Sequence, residues 1–549
     1  MVGKSPIKKL ILLIFLALLL RLLFLPLFIH QPLNIVDEQH YNKLALAILE
    51  RGEYGWAPGK PTAIRPPLYP AFLAGVYKVF GPENYNAVRV IQIFLSILSG
   101  LLVYSLAKKI FHEEKVALLA TGLFLFYPSL VIFNYLILTE ILFIFLFLLA
   151  LWLLVAGIEQ LYRLDGRDCF ATRLLRGFAP RNDNDGEKPR NDTPHPVTAS
   201  EAKQSRDSKA WIYSLLAGIF WGLASLTRSV TYPLTPFIAL FLFLVSPNKK
   251  QGLFAGILFI FATVLTLSPW IARNYQVFGH FIAVDTMGGL NLYMGNYEHT
   301  PLHRAWAAVD NPPEIAWYRG HEKELGGLNE AEKQRWAIKK ALEFMKENPG
   351  LTALRTLIKT ANFWQLERTI IAGMQRGYFP GLRNKLVEIW ISLSILGAYV
   401  FVVIFGFCGL LWRALGKNEI ASVPVGDLAM TEGRRPLAMT RDMSLRGGSL
   451  EPTKQSQRYV DWLIVLLILY FTAIHAIVFG HSRYHLPLIP LLCMYASYFV
   501  VHFKEFWQNQ RRRFWWVFVP VCLVFGLFWT YDIFIGSKDK IEAFLRIVF

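Results

Sequence analysis

The sequence predicts an all-α polytopic membrane protein with about eleven transmembrane helices, give or take two, and a small mixed domain or cap outside the cytoplasm. Two observations lead to this fold class. Of the 549 residues, 54% are hydrophobic and 17% are charged, whereas soluble globular chains carry about 25% charged residues. The charges also cluster between long apolar runs, and about 20 apolar residues are enough to cross a bilayer. Such segregation of charge indicates a membrane protein rather than an unusual soluble one.

Eleven apolar runs are candidate spans, and their boundaries are the least certain feature. They lie near 10–29, 89–107, 116–133, 139–158, 211–227, 230–246, 252–272, 389–412, 459–480, 484–502 and 514–534. The stretch 66–80 is apolar but too short to cross alone, so we interpret it as a re-entrant or interfacial segment.

The net charge of +18 raises the question of nucleic-acid binding. The basic residues, however, cluster at span ends: Lys4, Lys8, Lys9, Lys108, Lys109, Lys249, Lys250, Arg511, Arg512 and Arg513. These clusters share one side of the membrane if the N-terminus is cytoplasmic, as the positive-inside rule requires. We therefore expect no nucleic-acid partner, and a multi-pass protein of the inner (plasma) membrane with a cytoplasmic N-terminus.

The chain divides into three predicted parts. Residues 1–272 form an N-terminal transmembrane catalytic module that includes a first outer loop, 30–87. Residues 273–388 form an extracytoplasmic loop or cap domain, and residues 389–549 form the C-terminal transmembrane helices.

Two cytoplasmic segments, 163–210 and 414–458, are polar and have no apolar periodicity. Their composition is typical of disorder, so we interpret both as mostly disordered insertions that carry no chemistry.

Within the cap, the sequence predicts a helix over 329–348. Asn329 can cap it, Glu332 follows three residues later, and Pro349 and Gly350 stop it. The next stretch, 351–364, has an apolar face with Lys and Arg opposite, which predicts a helix lying on the membrane surface.

An acidic pair, Asp37 and Glu38, precedes a helix in the first outer loop. Asp is a good N-cap, but only one of the two can cap, and two adjacent carboxylates at a membrane surface are costly to desolvate. The pair suits a base that takes a proton from an acceptor hydroxyl or amine. His40 lies nearby, which leaves a divalent cation open as a cofactor, although no metal-ligand set is predicted.

Several cations follow at the same predicted membrane face. Arg65, in the motif IRPPLYP (64–70), could pair with a phosphate at headgroup level, or its side chain could reach to the interface as a simple anchor. Arg228 and Arg273 each end a span on the outer side.

Two further groups complete this face. Glu140 opens an apolar span, where a carboxylate is functional by default, unless it interacts with the helix N-terminus. The motif HSRYHLPLIP (481–490) places Arg483, Tyr484 and His485 at one span end, where they could bind an anionic headgroup.

Together with SPWIARNYQVFGHFIAVDTMGGLNLYMGN (268–296), these motifs resemble a bacterial membrane glycosyltransferase of the C-type superfamily. The similar proteins are the protein O-mannosyltransferases and the lipid A aminoarabinose transferases, and the resemblance covers nearly the whole chain apart from the two insertions.

The resemblance implies transfer of a sugar from a polyprenyl phosphate to an extracytoplasmic acceptor, which can be a protein, lipid A or another glycolipid, or a polysaccharide, usually with inversion. Asp37 matches the family's base, with Glu38 beside it. Arg65, Arg273 and Arg483, with Tyr484, match the donor-phosphate site, and the active site faces outward. The aminoarabinose transferases have glutamate and lysine before the proline of the second motif where this chain has Arg65 and Pro66, so a metal bound through that glutamate is not carried over.

Two other protein classes fit less well. A transporter or flippase usually shows inverted repeats with polar sites near the bilayer midplane, whereas the charges here lie at the outer face. A non-enzymatic scaffold leaves the set of Asp37, Glu38, Arg65, Glu140 and Arg483 without a role.

Overall fold

The structure is a computed structural model that describes residues 6–177, 199–312, 316, 321–415, 454–536 and 538. Over these ranges it is almost wholly helical, and its two strands, Gly55–Ala57 (β1) and Lys60–Pro61 (β2), form one antiparallel hairpin. The predicted fold class is confirmed.

The helices are numbered in chain order. They are α1 (Pro6–Phe24), α2 (Val36–Arg51), α3 (Leu68–Phe80), α4 (Tyr85–Phe111), α5 (Glu114–Leu125), α6 (Pro128–Phe133), α7 (Glu140–Gly177), α8 (Ala199–Thr227), α9 (Thr235–Val245), α10 (Lys249–Phe278), α11 (Met287–Met294), α12 (Glu322–Leu325), α13 (Glu330–Glu347), α14 (Pro349–Phe363), α15 (Thr369–Gln375), α16 (Lys385–Ala414), α17 (Lys454–Ile477), α18 (Ile489–Val501), α19 (Phe503–Asn509) and α20 (Arg511–Tyr531). Short 3-10 helices include Ser229–Leu234 before α9 and Ser482–Leu488 before α18.

Nine helical stretches in the described ranges are long and apolar enough to cross a membrane. Contacts at the helix ends show that two further stretches, built from shorter helices, are as long as one of these crossings. The first is α5 with α6. At one end of α4, the Gln92 amide donates to the carbonyls of Asn134 and Leu136 at 2.9 and 2.8 Å. At the other end, Lys108 Nζ lies 2.5 Å from Glu114. The chain from Glu114 to Asn134 therefore returns along the whole of α4.

The second short stretch is Ser229–Val245. Its start adjoins Arg228, which pairs with Glu140 at the first residue of α7. Its end lies beside Tyr162, whose hydroxyl donates to the Val245 carbonyl at 2.5 Å. The stretch therefore spans the same length as the first 23 residues of α7, Glu140–Tyr162. With α5–α6 it brings the crossings within the described ranges to the predicted eleven.

Prolines explain why these two crossings are short helices rather than single long ones. The predicted run 116–133 is divided at Pro128, the first residue of α6, and the run 230–246 begins as a 3-10 helix that contains Pro233. Proline has no N–H to donate and disfavours a helical residue before it. The breaks are therefore encoded locally.

The cap contains the helix predicted over 329–348. It is α13, and its N-terminus is the expected capping box. Asn329 Oδ1 accepts from the backbone N–H groups of Ala331 and Glu332, while the Glu332 side chain accepts from the Asn329 N–H at 2.8 Å. Reciprocal bonding of this kind satisfies donors that a helix start leaves free.

Helix α14 buries its charged face and exposes its apolar face, which is the reverse of an ordinary surface helix. Its cations are buried: Arg355 donates to the Tyr297 and Thr300 carbonyls at 2.9 Å, and Lys359 is 1% exposed. Its leucines are outside, with Leu357 69% exposed. An apolar outer face is what the predicted position at a membrane surface requires.

The middles of the two predicted insertions, 178–198 and 416–453, lie outside the described residues. At their edges, α7 extends to Gly177 and α8 begins at Ala199, so the segment 163–210 is helical at both ends.

Candidate active site

The acidic pair of the first outer loop is divided between two roles. Glu38 caps its own helix, because its Oε2 accepts from the Ile35 N–H at 3.1 Å. Its Oε1 accepts from the Ile137 N–H at 3.0 Å, which ties α2 to the turn before α7. Glu38 is buried, and burial raises its pKa above the ordinary value. Asp37 does not cap and faces two arginines instead.

Asp37 lies between Arg65 and Arg483. Its Oδ1 is 2.7 Å from one guanidinium and its Oδ2 is 2.8 Å from the other. Burial alone would raise the pKa of the Asp37 carboxyl, but the two cations outweigh it and hold that pKa well below its ordinary value. The carboxylate is therefore ionised with both oxygens occupied.

The alternation of charge continues beyond Arg483. Its Nε donates to Glu140, and Arg228 lies 3.1 Å from the same carboxylate oxygen. Glu140 is fully buried and its second oxygen, Oε2, has no hydrogen-bond partner among the described residues. The series Arg65–Asp37–Arg483–Glu140–Arg228, here called the charge ladder, carries three cations and two anions, which leaves one positive charge in excess.

Local structure holds each member of the charge ladder in place. The Tyr54 hydroxyl donates to the Arg65 carbonyl at 2.9 Å, just before the prolines of the motif fix the chain. Arg483 is the second residue of the 3-10 helix Ser482–Leu488, and its backbone N–H donates to His481 Nδ1 at 3.1 Å. Glu140 follows the turn that Glu38 holds. The backbone at Arg65, Arg483 and Glu140 is thus fixed by local contacts, and the ion pairs of the charge ladder start from these fixed positions.

Four members of the charge ladder, all except the fully buried Glu140, lie on the wall of a cavity of about 440 Å³. Its lining includes Asp37, Arg65, Arg228, Arg483, Tyr484, Thr139, Ser229, Asp285, Gly288, Ile474 and Val478. The Tyr484 ring lies 5.4 Å from the Arg228 guanidinium, a distance suited to a cation–π contact. The cavity thus joins a cationic wall to an apolar one.

Besides Glu38 and Glu140, three more of the predicted site residues do not line this cavity. Arg273 donates to the carbonyls of Thr62 and Tyr54 at 2.8 and 2.7 Å, so it fixes the hairpin loop to α10. His485 is fully buried, 3.1 Å from Glu367 and 2.7 Å from the Phe363 carbonyl.

The third, His40, stands behind Arg65, with Nδ1 3.2 Å from the guanidinium. Burial and the charge of Arg65 lower its pKa, which favours a neutral ring that accepts from Arg65.

Asp285 was not predicted as a site residue, although it lines the same cavity. Its position, in a loop inside the motif 268–296, is the one signal that could have drawn attention to it.

The contact between Arg65 and Arg483 through Asp37 joins residues far apart in the chain, and no local pattern encodes it.

The described side chains do not form a set of metal ligands. Among the described residues no three His, Cys, Asp or Glu side chains are grouped as metal ligands. Asp37 and Glu140, the acidic groups of the charge ladder, already bond to guanidinium groups.

Residues 64–175 match the family described as dolichyl-phosphate-mannose-protein mannosyltransferase. The chain resembles membrane glycosyltransferases. The matched segment contains Arg65 and Glu140, two members of the charge ladder, so the resemblance expected from the sequence is confirmed over this part.

Among solved structures, the chain is similar to the archaeal oligosaccharyltransferase AglB of Archaeoglobus fulgidus in complex with an inhibitory peptide and a dolichol-phosphate. The identity is 13% and the TM-score 0.44, over 97% of this chain and 55% of that one. It is also similar to ArnT of Cupriavidus metallidurans in the apo state, at 13% identity and TM-score 0.35, over 90% and 78%. The chain thus spans about half the length of the archaeal enzyme. No curated protein matches it in sequence.

Proposed function

We propose that this protein is a membrane glycosyltransferase that transfers a sugar from a polyprenyl-phosphate donor to an acceptor outside the cytoplasm. The observation that carries the proposal is the charge ladder on the wall of the cavity, where Arg65, Arg228 and Arg483 all reach the lining. Guanidinium groups are well suited to phosphate because they bind it bidentately. The donor headgroup lies against this wall.

The charge ladder has room for an anion. By itself it carries one positive charge in excess, and no ion pair joins it to Asp285, the further carboxylate of the cavity, in the described part of the chain. In addition, Arg65 Nε is buried with no hydrogen-bond partner among the described residues. A donor phosphate satisfies both, because it brings negative charge and several acceptor oxygens. The apolar wall around Ile474 and Val478 suits the first units of the lipid chain.

In the reaction, the bond between the sugar C1 and the phosphate oxygen breaks, and the electron pair leaves with the polyprenyl phosphate. The acceptor oxygen or nitrogen attacks C1 from the opposite face, which inverts its configuration, and its proton passes to Asp37. The arginines stabilise the charge that develops on the leaving phosphate, so they favour the transition state over the ground state.

Donor binding also prepares the base. Without donor, both oxygens of Asp37 are held by guanidinium groups and its pKa is low, which makes it a weak base. A phosphate competes for Arg65 and Arg483 and so weakens these contacts. The pKa of Asp37 then rises toward its ordinary value, and the carboxylate becomes a better proton acceptor when the donor is in place.

Glu38 acts through the backbone in this proposal. Because its carboxylate bonds to the Ile35 and Ile137 N–H groups, it is a positioning residue that holds α2 against the turn preceding Glu140. We also propose that the protein lies in the inner (plasma) membrane, with the N-terminus in the cytoplasm and the cavity facing outward.

The test is a reconstituted assay with a short-chain polyprenyl phosphate mannose as donor. The expected result is release of polyprenyl phosphate that depends on the protein and falls in the Asp37→Asn variant. Movement of intact donor across the vesicle membrane without release of polyprenyl phosphate would support a flippase and overturn the proposal.

A further inference from the structure

The cavity contains a second carboxylate that the charge ladder does not use. Asp285 lies in the loop between α10 and α11 and lines the cavity together with Ser229 and Gly288. Unlike Asp37 and Glu140, it has no ion pair with an Arg or Lys side chain in the described part of the chain. A half-buried carboxylate without a counter-cation costs free energy, so its presence requires an explanation.

A helix-capping role explains part of the presence of a carboxylate at position 285. Asp285 Oδ1 accepts from the N–H groups of Met287 and Gly288 at 3.1 and 3.3 Å, at the start of α11. An asparagine would make the same two bonds without the charge. Capping therefore explains a polar side chain here and leaves the negative charge unexplained.

The surroundings of Asp285 provide a reason for the charge. Ser229 lines the cavity together with Asp285, and its side chain lies close enough to lower the pKa of the carboxyl, so a hydroxyl and a carboxylate stand near each other on the cavity wall. A Cβ added at Gly288 would meet no atom within 4 Å, which means that the wall beside them is open. Burial raises the pKa of Asp285, while the positive charge of Arg65 acts on Asp285 and on Asp37 alike.

We propose that Asp285, with Ser229, binds a hydroxyl group of the substrate and so determines which substrates the cavity accepts. A carboxylate accepts hydrogen bonds from hydroxyl groups more strongly than an amide does, because charged acceptors form stronger bonds. The hydroxyl belongs to the transferred sugar or to the acceptor. This inference rests on the proposed function, since it assumes that the arginines hold the donor phosphate nearby.

The decisive variant is Asp285→Asn, which keeps both backbone bonds and removes the charge. Asp285→Ala removes both. A matched control is available at Asn384, whose Oδ1 accepts from the N–H groups of Leu386 and Val387 at 3.0 and 3.3 Å at the start of α16. Asn384→Ala measures the loss of a similar cap away from the cavity.

Two measurements on the purified full chain separate the alternatives. The first compares thermal stabilisation by a short-chain polyprenyl phosphate with that by the corresponding polyprenyl phosphate mannose. The second follows cleavage of this donor by water alone and transfer to acceptors added as a crude envelope extract. We expect Asp285→Asn to melt at the wild-type temperature and to be stabilised normally by the sugar-free lipid.

If Asp285 holds the sugar, Asp285→Asn loses the extra stabilisation by the mannose and cleavage by water falls at least tenfold. If it holds the acceptor, cleavage by water is unchanged and transfer alone falls tenfold, with a raised KM for the acceptor. Wild-type behaviour of Asp285→Asn in every arm overturns the inference. Wild-type protein that binds donor without cleaving or transferring it would refute the proposed function and with it an acceptor role of Asp285, while the melting comparison still tests whether Asp285 binds the sugar.

Discussion

At the scale of single residues, the molecule gives adjacent carboxylates different surroundings. Asp37 faces guanidinium groups and Glu38 faces backbone N–H groups. The difference arises because consecutive residues on a helix point about 100° apart, so one can face the cavity while the other packs against the turn before α7. Of these two carboxylates, we therefore expect only Asp37 to take part in proton transfer.

The first prediction concerns this residue. Asp37→Asn is expected to lower transfer by roughly 10²-fold or more, the usual scale for loss of a general base, with little change in the amount of inserted protein. The measurement is turnover of the reconstituted enzyme. Glu53→Gln, at an exposed carboxylate of the same outer loop, serves as the control and should retain wild-type turnover. Near-normal turnover of Asp37→Asn would rule out its role as the base.

The second prediction distinguishes a phosphate-binding arginine from a structural one. Arg483→Lys should raise the KM for donor at least tenfold, because lysine keeps the charge and loses the bidentate geometry. Arg273→Lys should instead lower the melting temperature and leave the donor KM unchanged, since Arg273 bonds to backbone carbonyls of the hairpin loop. Donor titrations and melting curves of the two variants provide the test. Equal effects of both on donor KM would contradict the assignment of Arg483 to the phosphate.

At the scale of elements, close helix packing depends on a few glycines. The pair α16 and α18 provides a clear case, since a Cβ at Gly409 would lie 2.1 Å from the Tyr495 carbonyl oxygen. No side chain fits at that distance without moving the helices apart. In the same helix, a Cβ at Gly397 would meet nothing within 4 Å. One helix thus carries both a sensitive and an insensitive glycine.

The third prediction uses this pair. Gly409→Ala should destabilise the protein by about 1–3 kcal/mol, the usual effect of overpacking, because α16 and α18 must separate. Gly397→Ala is the matched control and should be neutral or slightly stabilising, since alanine is the better helix former. Melting curves in the same detergent measure both. A Gly409→Ala protein as stable as the control would show that the two helices do not pack in this way.

The sequence predicted individual helices better than it predicted the contacts between distant residues. The capping box at Asn329 and Glu332 is local, so two residues three positions apart were enough to predict the start of α13. The burial of Lys359 in α14 is different, because its partners Asn296 and Ile477 are distant in the chain. Periodicity located the charged face of α14 and could not tell whether that face meets water or protein.

At the scale of the whole molecule, the cavity lies at one end of the helix bundle, where the start of α7 and the ends of α8 and α17 meet. The charge ladder contains the start of α7 and the end of α8, while Lys109 and Glu159 pair at the opposite end of α4 and α7. The two ends of the bundle therefore differ, and the cavity belongs to one of them. The proposal above, which rests on the charge bias, is that this end faces outward.

The fourth prediction follows from this arrangement. Alkaline phosphatase fused after Asn248 should be inactive, and the same reporter fused after Gly327 should be active, because α10 crosses the membrane between the two positions. A fluorescent reporter that folds only in the cytoplasm provides the complementary control, with the opposite pattern. The reverse pattern at both positions would show that the N-terminus and the cavity face the other way.

The sequence alone was sufficient for the number of crossings and for the polar residues near one membrane face. It was not sufficient to predict which of those residues reach the cavity and which bond elsewhere. Arg228 was considered only as a secondary candidate and Arg273 as a phosphate ligand, yet the structure brings Arg228 to Glu140 and places Arg273 on the hairpin loop. Both end a span on the same side, and which side chain reaches the cavity depends on helix rotation and packing, which hydropathy does not encode.

The contact that joins Arg483 to Asp37 connects residues 446 positions apart, and this has a consequence for biosynthesis. A ribosome completes the first outer loop long before it reaches the HSRYHLPLIP motif, so every nascent chain that has not yet inserted α17 lacks one side of the site. Under the proposed function, a partly synthesised or truncated chain without this motif has no Arg483 to bind the donor phosphate, and the site is complete only after α17 and the motif that follows it have joined the bundle.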